Sequence, residues 1–468
     1  MNKCRNRSSF LIVLGVVSAA LVLADEPLVI TNVTVIDATG GPAQHGMTVV
    51  VTGDHITSVT PEREANLPKG VRIVEGTGRF LIPGLWDMHV HGAARLDAKW
   101  VLPLEIANGI VGVRDMAGPP DADAWRAQQA SSNELSPAIF LASPILDGPK
   151  PFWPGSIAIA DEAQGRAAVG QQKERGADFI KVYSRLPRDA FLAIADEARK
   201  RGISFAGHVP NSVRASEASD AGMKSFEHLY MVGLSCSSRE DELFEGLQRQ
   251  EFSRTAATAR AYDSFDEGKA QALFVRFVRN GTWQCPTLTL LSKTGRLGQP
   301  EELEKDDRLK YIPKEHRQRW DPRNNPNFKN ADAAYWAVAK RNFTGGLDLV
   351  GRMHRAGVAI LAGSDSLNPY VYPGSSLHDE LELLVQAGLS PLEALQSATL
   401  KAAQFMGQAD RRGTIEAGKI ADLVLLDRDP LTDIRNTRSI RAVVLNGKLL
   451  ERVALQKMLT DVQAIAER

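Results

Sequence analysis

Five short segments carry residues whose types and spacing suit metal-ion chemistry. Asp87-Met-His89-Val-His91 sets two imidazoles two residues apart. On a strand such residues point to the same side. Two imidazoles there can hold one metal ion, although a chance histidine pair on a β surface is the plainer alternative. Asp178-Phe-Ile-Lys181-Val-Tyr183 puts a lysine inside an apolar run, where a charged amine is costly unless paired or neutralised. One solution is a neutral amine that captures carbon dioxide and becomes a carbamate able to bridge two metals. The other is a lysine salt-bridged at a strand end. Ala206-Gly-His208 and Phe226-Glu-His228 each close an apolar run with a histidine. A lone buried histidine is more often structural, but four at the ends of three predicted strands form a pattern. Leu361-Ala-Gly-Ser-Asp365 adds a carboxylate that can ligate a metal and take a proton from its water, or else cap a helix beginning at Ser366.

The surrounding pattern predicts how these segments are held. Leu28–Val35, Met47–Val51, His55–Thr60 and Val71–Glu75 read as short strands broken by turns, a small β domain. From Leu81 onward, apolar runs alternate with helical stretches. The predicted strands are Gly84–His91, Ile110–Asp115, Ala138–Ser143, Phe179–Tyr183, Ser204–His208, Ser225–Leu229, Trp283–Leu290 and Ala359–Ser364. Eight such units predict an α/β fold, a (β/α)8 TIM-like barrel with all strand C-terminal ends on one face. Ser292–Arg341 is polar and contains Asp321-Pro-Arg-Asn-Asn-Pro-Asn327, which suggests a lid-like insertion or a disordered one. Pro391–Met406 reads as a helix. Strands return at Ala421–Leu426 and Ala442–Leu445, with a hairpin signal at Asn446-Gly447. The expected organisation is therefore a composite β-sandwich from residues 25–80 and 413–455, with the barrel, 81–412, inserted in it.

Composition narrows the function classes. Among 468 residues, Lys+Arg and Asp+Glu both total 56, so no basic excess points to nucleic acid. Lys3, Arg5 and Arg7 precede an apolar run from Phe10 to Leu23 that ends at Ala24. This is the layout of a signal peptide, residues 1–24, and predicts a secreted or periplasmic protein with no stable membrane span after cleavage. Cys236 and Cys285 would remain, too few to staple a chain of this size; whether they pair stays open.

Taken in order, His89-x-His91, Lys181, His208, His228 and Asp365 resemble the binuclear pattern of the amidohydrolase superfamily. The likeness runs from about Leu28 to Leu450 and includes Leu81-Ile-Pro-Gly84 and Gly413-Thr-Ile-Glu-Ala-Gly-Lys-Ile-Ala-Asp422. Gly109-Ile-Val-Gly-Val-Arg-Asp115 and Leu377-His-Asp-Glu-Leu381 are similar to the imidazolonepropionase-like and prolidase-like group. The resemblance implies a metal-dependent hydrolase that cleaves a C–N bond in a small amide or peptide, using a hydroxide held between two divalent ions. Zinc is the expected metal. His89, His91 and Asp365 would hold the more buried ion and His208 and His228 the more exposed one. Lys181, N6-carboxylated by carbon dioxide, would join both. Asp365 would shuttle the proton, and Tyr230 would help the oxyanion, unless it is only a packing aromatic. Three further residues are substrate candidates. They are His378; Arg114, which otherwise pairs with Asp115; and Trp153, in a loop (Leu146–Gly155) without the histidine that peptidases of this group tend to carry. That absence weakens a carboxypeptidase assignment specifically. Lactone, ester or phosphotriester hydrolysis, and an inactive metal- or ligand-binding barrel, stand as alternatives, and a homo-oligomer stays open.

Overall fold

The computed structural model describes residues 26–468 except 66, 68, 96 and 133. The expected signal peptide lies outside the described residues. Among those described, no helix is long and apolar enough to cross a membrane.

The two ends of the chain meet in one mixed eight-stranded sheet. Its order is Lys448–Glu451, Ile440–Leu445, Leu423–Leu426, Phe80–Pro83, Leu28–Val35, Gln44–Thr52 and His55–Pro61, with Arg72–Glu75 paired to Leu28–Val35 in parallel. Side chains alternate across a strand, and the sheet uses both faces. Leu423, Leu425, Ala442, Val444, Val49 and Val51 share one buried cluster. Their neighbours Ile82, Val424 and Leu426 belong to the main core instead. The sheet is thus anchored to the rest of the molecule through alternate residues of the same strands.

The remaining strands form two parallel sheets. One runs Leu85–Val90, Ile110–Asp115, Ala138–Leu141. The other runs Ile157–Ala158, Leu146–Asp147, Phe179–Val182, Ser204–Gly207, Ser225–Glu227, Trp283–Cys285. Single parallel bridges, Ala142 to Phe179 and Gln284 to Ile360, lead from these sheets to their neighbours. Helices such as Arg188–Arg201 and Glu267–Asn280 lie between successive strands. Both end on a glycine at positive φ, Gly202 and Gly281, which terminates the helix and starts the turn into the next strand.

Several expectations need correction. Ala359–Ser364 is not an extended strand. It makes one bridge at Ile360, with Leu361 N donating to Gln284 O (2.8 Å) and Met88 N to Ala362 O (2.9 Å). The chain turns sharply after it, Asp365 taking φ +62°. Trp283–Leu290 is strand only to Cys285, because helix Leu288–Arg296 follows at once. The polar segment 292–341 is largely helical, with Lys314–Trp320 in its middle and helix Ala333–Arg355 at its end. Leu297, Leu303, Ile312 and Trp320 bury themselves with Trp100, Tyr370, Tyr372 and Val462. Pro391–Met406 is two helices, Pro391–Ser397 and Leu400–Phe405. Beyond the expected β segment, helix Arg452–Ala466 packs on helix Ala98–Ala107.

Candidate metal centre

Each candidate ligand except Asp365 stands at or just beyond the C-terminal end of a parallel strand. His89 lies in Leu85–Val90 and His91 just after it; Lys181 lies in Phe179–Val182; His208 follows Ser204–Gly207, and His228 follows Ser225–Glu227. Parallel register then brings them to one level. Lys181 pairs with Ala206, and His208 N donates to Val182 O (3.1 Å). The imidazole centroids are 5.4 Å apart for His89–His91, 4.6 Å for His89–His228 and 4.8 Å for His208–His228.

Asp365 completes the cluster from the other side. Its Oδ1 lies 3.1 Å from His91 Nε2 and 3.5 Å from His89 Nε2, and its Oδ2 lies 3.7 Å from His228 Nδ1. Backbone bonds hold it there: Asp365 N donates to His89 O (2.7 Å) and Ser364 N to Asp87 Oδ1 (2.9 Å). A side chain at Gly363 would fall 2.5 Å from Cys285 Sγ and 2.9 Å from His89 N, so only glycine lets the two strand ends approach. His228 (φ +61°) and Asp365 both adopt the left-handed region, uncommon outside glycine and concentrated at functional sites.

His89, His208 and His228 share one mode of anchoring. Nδ1 of His89 lies 2.7 Å from Glu227 Oε2, Nδ1 of His208 2.8 Å from Ser184 Oγ, and Nδ1 of His228 2.7 Å from Thr287 Oγ1. In each ring the fixed nitrogen leaves Nε2 as the one available to a ligand, which is how metal-binding histidines are oriented. Burial lowers the pKa of all three, that of His89 to about 4, so they are neutral imidazoles as ligation requires. Burial alone would raise the Asp365 carboxyl. The charge that His89 and His228 take on once acid protonates them, with His91 beside them, outweighs burial and holds the group well below the usual carboxylate range.

The buried Lys181 Nζ, His89 Nε2 and Asp365 Oδ1 have no hydrogen-bond partner among the described residues. Burial lowers the Lys181 pKa to about 8. Buried polar atoms left without partners are rare and call for an explanation. His89, His91 and Asp365 also present ligand atoms within 4.8 Å of one another. These residues therefore fit a divalent metal centre with an amine poised beside it.

Of the substrate candidates, the structure brings Trp153 and Tyr230 to the centre and sends the others elsewhere. Trp153 is 42% exposed and donates Nε1 to Tyr183 Oη (2.7 Å); the Tyr183 ring stacks on His208 at 3.8 Å. Tyr230 packs 4.6 Å from His208 and 5.0 Å from His228, ring to ring. Arg114 points inward, correcting both roles expected of it. It donates Nε to Met88 O, Nη1 to Ser225 Oγ and Nη2 to both Glu227 oxygens (2.9 and 3.0 Å), and pairs neither with Asp115 nor with the site mouth. His378 is buried, with Nδ1 2.9 Å from Thr437 Oγ1 and Nε2 3.0 Å from Asn108 O, so it ties elements together away from the cluster. Cys236 and Cys285 are free and buried.

Three residues unread in the sequence support the ligands: Glu227, Ser184 and Thr287. Glu227 was legible as an acid inside an apolar strand, but its partner Arg114 is 113 residues away. Ser184 and Thr287 carry no local signal.

Comparison with known proteins finds likeness in sequence and fold. A family model described as "Amidohydrolase family" matches residues 325–450. Ochratoxinase of Aspergillus niger is 24% identical over 445 residues, covering 81% of this chain and 77% of its own. Among solved structures, a bottromycin amidohydrolase superposes with TM-score 0.69 at 23% identity, covering 94% of this chain and 90% of its own. A Xaa-Pro dipeptidase with methionine in its active site superposes with TM-score 0.67 at 20% identity, covering 91% and 100%. At these identities the structural likeness establishes a shared fold.

Proposed function

We propose that this chain is a member of the amidohydrolase superfamily and that it hydrolyses a C–N bond of a small amide or peptide at the His89–Asp365 cluster. The observation that carries this is one cluster in which His89, His91 and His228 face Asp365, His208 packs against His228, and the Lys181 amine has no hydrogen-bond partner among the described residues. The names of its relatives, an ochratoxinase, a dipeptidase and an amidohydrolase, support the bond class. We read the parallel strands as one barrel closed through Ile360–Ala362, and the mixed sheet as a separate composite β-sandwich domain.

His89, His91 and Asp365 would hold one ion, His208 and His228 a second, and Lys181 would serve both as a carbamate. When bound, two divalent ions, zinc by donor type, supply a water acidic enough to attack a carbonyl near neutral pH and polarise that carbonyl. The chain's own groups do the rest. Lys181, with a pKa lowered by burial, supplies the neutral amine that carbon dioxide needs; the nitrogen bonds to the carbon, one N–H proton leaves to solvent, and the neutral amine becomes an anionic carbamate. Asp365 accepts the proton of the attacking water at its carboxylate and delivers it to the leaving nitrogen. Tyr230 offers its hydroxyl to the developing oxyanion. The N-terminal pattern supports export with cleavage after Ala24, which the mass of the mature chain tests.

Elemental analysis of wild type and Lys181→Ala tests the site. About two divalent ions per wild-type chain and fewer in the variant are expected, together with lost turnover of dipeptides and N-acyl amino acids. One ion in both proteins would sink the bridging role of Lys181. Turnover of lactones or esters alone would move the assignment to C–O bonds.

A further inference from the structure

Arg114 is closed off by its three partners, and a different guanidinium stands at the mouth. Arg254 opens helix Arg254–Asp263, whose first turn Ser253 caps, and Asn342 Nδ2 donates to Thr255 O (2.9 Å), fixing that end against helix Ala333–Arg355. Its guanidinium lies 3.6 Å over the Tyr230 ring. Nη1 donates to Ser184 Oγ (2.9 Å) and Asn211 Oδ1 (3.2 Å), and Ser184 in turn holds His208. Arg254 therefore sits two hydrogen bonds from a metal ligand.

The partners of Arg254 are incomplete. A guanidinium carries five N–H donors, and those on Nε and Nη2 have no acceptor among the described residues. No carboxylate there lies within ion-pair distance of it either. A half-buried cation on a rigid helix end, held by neutral oxygens and an aromatic face, lacks its counter-charge. The planar fork of a guanidinium suits a carboxylate in particular. Tyr230 lies beneath it, and beyond His208 follow Tyr183, stacked on that imidazole, and Trp153, bonded to Tyr183.

We infer that Arg254 is a specificity residue that receives a free carboxylate on the substrate, so that the preferred substrates are N-acyl amino acids or dipeptides with an uncapped C-terminus. This rests on the C–N hydrolase reading and deepens it. The site mouth reads the charge of the released amino acid, while the cluster beneath acts on the amide whose nitrogen is joined to the same Cα as that carboxylate.

The test uses N-benzoyl amino acids and their C-terminal carboxamides. The wild type should prefer the free carboxylate. In Arg254→Met the preference should fall about 10- to 100-fold, mainly through KM, the scale of a lost hydrogen bond to a charged group; Arg254→Lys should restore part of it. Equal use of both forms by the wild type, or an undiminished preference in Arg254→Met, would overturn the inference. Calorimetric binding of the same pairs to Asp365→Asn separates the two readings. Carboxylate-selective binding that Arg254→Met abolishes, without amide turnover by the wild type, would leave Arg254 standing and remove the hydrolase reading. No selectivity for any of the N-benzoyl amino acids would remove Arg254 itself.

Discussion

At the scale of single residues, the ligands depend on the groups behind them. Glu227 illustrates this. Burial would raise its carboxyl, but Arg114 first and His89 next outweigh burial and hold it well below the usual range. It satisfies two Arg114 donors and orients His89 in the same stroke. Breaking a buried pair by removing one partner leaves an uncompensated charge, so Glu227→Leu is expected to lose about 3–5 kcal/mol of stability. The double variant Arg114→Leu/Glu227→Leu should lose much less, since no charge is then stranded. Denaturant unfolding of the three proteins measures both. A Glu227→Leu loss below about 1 kcal/mol would show that the pair is open to water.

At the scale of elements, the polar stretch 292–341 works as a clamp. Trp320, at the end of helix Lys314–Trp320, donates Nε1 to Leu367 O (3.1 Å) and packs edge-on to Tyr372. Leu367 reaches the backbone beside His91, since a side chain on Gly92 would meet its Cδ1 at 2.5 Å. The clamp thus presses on the turns that carry His91 and Asp365. Truncating a buried tryptophan typically removes about 3–5 kcal/mol, and Trp320→Ala should do so while weakening metal retention. Trp320→Phe should recover most of the stability. If Trp320→Ala shifts substrate preference yet keeps stability and metal, the segment is a mobile lid after all. The sequence showed this stretch only as polar and rich in Pro and Asn. Its buried residues are spaced too irregularly to announce a face.

At the scale of the whole molecule, stability should depend on pH through His378. Burial lowers its pKa from 6.5 to about 4. Between those values the unfolded chain holds a proton that the folded chain lacks, so acidification favours unfolding. The contribution is complete above pH 6.5 and is lost as pH falls toward 4, on the order of 3 kcal/mol for this shift. Glu380, raised to about 8 by burial, acts in the opposite sense and loses stability as pH rises. Comparing the wild type with His378→Gln isolates the histidine: the variant should lose less stability between pH 6.5 and 4. Identical slopes would mean that His378 takes up its proton as readily in the fold as in the unfolded chain. The inter-element bonds of His378, to Thr437 and Asn108, explain why a histidine close in sequence to Asp365 has no place at the site.

The sequence alone picked out the residues that cluster at the candidate centre and most of the strand frame, because strand periodicity is local and repeats along the chain. Ile110–Asp115 is strand as expected, and six other expected strands differ at their ends by one to five residues; Ala359–Ser364 is reduced to a single bridge, and Leu146–Asp147 and Ile157–Ala158 are strands beyond those expected. It also showed that both chain ends carry strands of one sheet, through apolar runs at Leu28–Val35 and Ala421–Leu426. Only the tertiary structure decided what lies behind and beside the ligands. Arg114 meets Glu227, Arg254 meets Ser184 and Trp320 meets Leu367 across separations of 113, 70 and 47 residues. Such contacts depend on which strand ends become neighbours, and no local pattern of residues encodes that distance.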